Sequence, residues 1–101
     1  MDFIKELKEK AKKIDLHLNI SGSKKTKTFY RVNFHNPDKV VNGNDNKKFN
    51  FLIDYYVQNT PNGNYHKNIS GFRFNFNKGG YKVVINVDYN NYTYMMLFKE
   101  N

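Results

Sequence analysis

The chain contains no cysteine and no tryptophan, two prolines and six glycines, and alanine is nearly absent. Without cysteine there are no disulfides and no thiolate metal sites, and the redox compartment stays open. Nowhere do about 18 apolar residues run together, and the start, MDFIKELKEKAKKIDLHLNI, lacks an unbroken apolar segment of the secretory type. A soluble cytoplasmic protein with no membrane association is therefore expected. A glycine-rich phosphate loop, a His-Glu-x-x-His pair and paired metal-ligand motifs are missing too. These absences predict no cofactor, no metal and no catalytic residue, and thus a protein that is not an enzyme.

Negative charge is also scarce: nine acidic residues face seventeen basic ones, for a net charge of +8 and a pI near 9.6. Such a balance points to an anionic partner: a nucleic acid, an acidic protein face or an anionic membrane. Lysine outnumbers arginine fifteen to two and asparagine is abundant. An AT-rich coding sequence yields the same bias whatever the function, so charge alone does not name the partner.

At 101 residues and 39% hydrophobic content, the chain fits one domain, residues 1–101, with a single core. Residues 2–13 predict a helix. Phe3, Ile4, Leu7 and Ala11 make one apolar stripe opposite Lys5, Lys8 and Lys12, with favourable Glu6–Lys10 and Glu9–Lys13 spacings. The period then changes to two. IDLHLNIS, FYRVNFH, FNFLIDYYV, GFRFNFN and the two halves of YKVVINVDYNNYTYMMLFKEN all read as strands, joined by a lysine-tipped turn and by polar loops at 35–48 and 58–68. The expected fold is α+β, with one N-terminal helix packed on an antiparallel meander sheet of five to six strands.

In the last hairpin, a two-residue Asn90–Asn91 turn pairs Val87 with Tyr94, Ile85 with Met96 and Val83 with Phe98 on the core face. The reverse face then holds Val84, Met95 and Leu97 as an apolar island between Lys82 and Lys99. Collected over all strands, this back face bears Asp15, His17, Arg31, Asn33, His35, Asn50, Asp54, Tyr56, Arg73, Asn75 and Asn86. Both arginines lie on it, and their planar forks suit phosphate or carboxylate. An idle, solvated sheet face is the alternative.

Four functions fit these residue types. A direct RNA or DNA binder would use Arg31, Arg73, Lys82 and Lys99 on phosphates and Tyr56 as a base stack, steered by Lys24, Lys25 and Lys27 at the turn tip. SGFRFNFN is similar to an RNA-recognition-motif strand, but Phe72, Phe74 and Phe76 are needed in the core and the two-helix order of that family is missing. A sheet-face ribonuclease would draw on His17, His35, Asp15 and Asp54, without signature spacing. A protein binder would use the Val84, Met95, Leu97 island as its apolar centre. A membrane anchor would need the stripe of the helix, which the sheet already claims.

The composition resembles proteins of low-GC phages and mobile elements. The opening FIKELKEKAKK helix, followed by strand, turn and strand, is similar in layout to one small Gram-positive phage anti-CRISPR type. That likeness covers the first third of the chain, and it departs in charge: the type is acidic and imitates DNA. The resemblance implies an inhibitor that docks on a nucleic-acid-handling protein or ribonucleoprotein complex through guide RNA or an acidic effector face; a monomer or weak dimer is expected.

Overall fold

The computed structural model describes residues 1–22, 28–33, 43–88 and 93–100, with side chains from residue 48 onward in the third segment. Helix α1 (Phe3–Lys13) forms as its apolar stripe demands, burying Phe3, Leu7 and Ala11. Asp2 caps its start by accepting from the backbone N–H of Ile4 at 2.8 Å and of Lys5 at 3.2 Å. Its end is closed by Asp15 in the left-handed region, φ 54°. The Asp15 and Leu16 N–H groups donate to the Lys12 and Ala11 carbonyls at 3.1 and 2.8 Å, and Leu16 turns into the core. This reversal delays the first strand: the alternation of 14–18 is spent on the helix terminus, and β1 covers Asn19–Gly22.

Strands β2 (Phe29–Asn33), β3 (Asn64–Asn68), β4 (Gly71–Lys78), β5 (Tyr81–Asp88) and β6 (Thr93–Lys99) complete a six-stranded sheet in the order β1-β2-β6-β5-β4-β3. Every pairing is antiparallel, so the fold is α+β.

Beyond the later start of β1, the element assignments of 43–68 and the register of the last hairpin are corrected. Residues 49–57 are not a strand but part of a second helix, α2 (Gly43–Asn59), which starts inside the expected 35–48 loop; β3 likewise falls inside the expected 58–68 loop. The buried set is Phe49, Leu52, Ile53 and Tyr56, a helical i, i+3, i+4, i+7 series. A strand would have buried Phe51 and Tyr55 with Phe49; as a helix, the segment leaves Phe51 64% exposed.

The second correction is the register of β5 on β6. Val87 pairs with Thr93, Ile85 with Met95 and Val83 with Leu97, one residue away from the expected pairing. Because strand side chains alternate, a slip of one residue turns all of β6 over. Met95 and Leu97 therefore lie in the core, while Tyr94, Met96 and Phe98 face the other way. The Asn90–Asn91 turn lies outside the described residues.

Both helices cover one face of the sheet. Phe3, Tyr56 and Phe76 meet at centroid distances of 5.4 to 5.8 Å, and Phe74 packs beside Phe76 at 5.5 Å. The Tyr56 hydroxyl donates to Glu6 Oε2 at 3.0 Å, and Lys78 Nζ lies 3.3 Å from Glu6 Oε1, which ties α1, α2 and β4 together at the core's margin. No described element packs on the opposite face.

Candidate functional site

That opposite face is read from the strand registers. Down β6 run Tyr94, Met96 and Phe98; across β2, Asn33, Arg31 and Phe29 are their direct partners, and across β5, Asn86, Val84 and Lys82. β4 adds Arg73, Asn75 and Asn77, and β3 adds His66 opposite Arg73 and Asn64 opposite Asn75.

Arg31 is held in place on β2, the second strand from the β1 edge. Its Nε donates to Asn33 Oδ1 at 2.9 Å, and its guanidinium carbon sits 4.2 Å from the centroid of the Tyr94 ring. These contacts fix the orientation of a side chain that otherwise carries considerable rotamer entropy, and a cation over an aromatic face is itself favourable. One register step away, the Phe29 and Phe98 rings lie 5.1 Å apart, and Phe98 is 38% exposed. Val84, enclosed between Asn75 and Met96, is only 8% exposed but stands outside the main core cluster. The surface is therefore an apolar and aromatic strip along β2 and β6, bordered by the cations Arg31, Arg73 and Lys82.

The structure divides the residues expected to bind. Arg31, Arg73, Lys82 and Val84 share this face. Met95 and Leu97 are fully buried against the helices, and Lys99, opposite Tyr81, belongs to the helix side. Tyr56 is not an exposed stack: it is wholly buried, and burial, reinforced by the Glu6 carboxylate, raises its phenol far above the ordinary value. Lys24, Lys25, Lys27 and His35 lie outside the described residues. Of the hydrolytic set, Asp15 at the end of α1 and the exposed His17 line one cleft beside α1, whereas Asp54 is exposed on α2. Among the described residues no three His, Asp or Glu side chains gather as metal ligands, and no helix is long and apolar enough to cross a membrane.

Sequence reasoning missed Phe29, Tyr94, Met96 and Phe98 as members of this face. TYMMLFK is apolar on both faces, so its periodicity does not choose between them; only the pairing with β5 does. Comparison of the chain with protein families, with curated protein sequences and with solved structures returned no match.

Proposed function

We propose that this chain is a binding domain that takes single-stranded nucleic acid across the open face of its sheet, acting by binding rather than catalysis. The observation that carries the reading is Arg31, immobilised by Asn33 over the Tyr94 ring, beside the Phe29–Phe98 pair. The Arg31 guanidinium, the exposed Phe98 ring and the half-buried Tyr94 and Phe29 rings give unpaired bases surfaces to stack on, each base contributing roughly 1 to 3 kcal/mol. Arg31, Arg73 and Lys82 supply the phosphate contacts. A duplex, with its bases already stacked and paired, offers a flat strip nothing to stack. The cytoplasm, where single-stranded RNA is abundant, is the compartment that suits such a domain.

The test is fluorescence anisotropy with labelled single strands and duplexes over a salt series. Three phosphate contacts predict a log–log salt slope near −2 for single strands. Tyr94→Ala and Arg31→Ala should each weaken binding about tenfold, and Arg31→Lys should recover only part of the loss. Arg73→Ala should lower affinity without unfolding the domain. Absence of single-strand binding, or tighter binding of duplex, would overturn the proposal.

One observation favours a second reading. Val84, Met96 and Phe98 form an apolar centre with an Arg and Lys rim, the anatomy of a protein interface. On this reading the same face docks on a nucleic-acid-handling protein or ribonucleoprotein and modulates it, as a phage-borne inhibitor would. It predicts that Met96→Asp abolishes association with that one complex while free single strands are not bound at all.

A further inference from the structure

At the β3 side, the open face runs into a cleft of about 480 Å3 between the turn after α2 and strand β4. Its size falls in the range of small-ligand pockets and suits one nucleotide. Five asparagines (Asn59, Asn62, Asn64, Asn75 and Asn77) and Lys82 line it. Asn64 is directly opposite Asn75, and Asn77 directly opposite Lys82, so the floor is a compact block of amides beside one exposed ammonium.

The wall is built to stay in place. Gly63 donates its N–H to the Thr60 carbonyl at 3.0 Å, and the turn presses so closely on the Phe74 ring that a β-carbon at position 63 would collide with it. Asn59 is partly committed, its Nδ2 donating to the Tyr55 carbonyl at 2.8 Å. Lys78 at the rim is committed to Glu6. Asn75 is different: its Oδ1 is buried and finds no hydrogen-bond partner among the described residues. A buried acceptor without a donor is costly in a folded protein, and here it belongs to a residue that lines a cleft.

We propose that this cleft holds one unstacked base of the bound strand and that the base it prefers is adenine. The proposal rests on the open face being a single-strand path. A carboxamide presents an acceptor and a donor side by side, the complement of an amino group beside a ring nitrogen, which adenine offers on two edges and cytosine on one. Asn75 supplies the unused acceptor once its amide turns into the cleft, and Asn64 and Asn77 supply further amides. Lys82 lies between Phe98 on β6 and Asn77 on β4, so it takes the phosphate linking the stacked bases to the base in the cleft. Phe98 and Asn77 are two strand spacings apart, roughly 10 Å.

The experiment compares homopolymers of about eight nucleotides, oligo(A), oligo(C) and oligo(U), by anisotropy at one salt concentration. Wild type should bind oligo(A) roughly tenfold more tightly than oligo(U), as one good amide–adenine pair allows, with oligo(C) between them; oligo(C) bound more tightly than oligo(A) would overturn the adenine preference. Asn75→Leu, which keeps the side chain's size, and Asn77→Ala, at an exposed position, should each bring oligo(A) down toward oligo(U) while leaving oligo(U) unchanged. Tyr94→Ala should lower all three alike. Equal affinities in wild type that still fall with Tyr94→Ala would overturn the cleft and keep the open face. An oligo(A) preference untouched by both asparagine changes would also overturn it. No binding of any homopolymer would overturn the open face, and the cleft with it.

Discussion

Met95 and Met96 are adjacent, chemically identical and assigned opposite fates, which makes them a direct test of how β6 is turned. Met95 is fully buried between Val32 on β2 and Ile85 on β5, both also fully buried. Truncation to alanine removes three heavy atoms from a site walled by strands that cannot move together, so the cavity persists. Of the usual range for such changes, about 3 kcal/mol is expected. Met96 lies between Arg31 and Val84 on the open face and is only half-buried, so Met96→Ala should cost about 1 kcal/mol or less. Urea unfolding followed by circular dichroism or tyrosine fluorescence, with the m-value checked for constancy, measures both. In thermal melts the Met95 loss corresponds to a fall of roughly 12 to 24 °C. Binding should show the opposite order: Met96→Ala weakens association with single strands, and Met95→Ala, measured well below its melting point, does not. If Met96→Ala proved the more destabilising, β6 would be inverted, and Tyr94 and Phe98 would leave the open face.

Tyr56→Phe should cost roughly 1.5 kcal/mol, the low end for a hydrogen bond to a charged group because Glu6 keeps some contact with water, and should leave affinity unchanged. An affinity loss with no stability loss would return Tyr56 to the binding surface. The raised Tyr56 phenol also gives a pH dependence. Above the unfolded-state value of about 10, the unfolded chain releases this proton while the native state retains it, so stability falls as pH rises from there. Tyr56→Phe should show a shallower alkaline decline; parallel curves for the two proteins would refute the assignment.

The parts of the fold legible in the sequence are those where one periodicity stood alone. Phe3, Leu7 and Ala11 match only a helix, and Phe72, Phe74 and Phe76, alternating with Arg73 and Asn75, match only a strand. FNFLIDYYV matches both: Phe49, Phe51, Ile53, Tyr55 and Val57 alternate, while Phe49, Leu52, Ile53 and Tyr56 follow a helical stripe. Its aromatic and branched residues favour the strand locally, and packing on Phe3 and Phe76 decides for the helix. The candidate site divides along the same line. Arg31 and Arg73 were legible because their neighbours Val32, Phe72 and Phe74 must point inward. Tyr94 and Phe98 were not, because every residue from Tyr94 to Phe98 can be buried, and the parity of β6 depends on partners distant in sequence.

The order of strands has a consequence for how the chain reaches this structure. β3 to β6 form an unbroken series of neighbouring hairpins, each closing a short loop, whereas Val32 must find Met95 across most of the chain. Loop-closure entropy and the slowness of distant pairings place the β2–β6 seam late in assembly. Arg31 and Phe29 stand on one side of that seam, and Tyr94 and Phe98 on the other. The open-face strip thus comes into being only when the last large piece docks, so a partly assembled chain carries the lysines and arginines of this protein without the aromatic surface beside them.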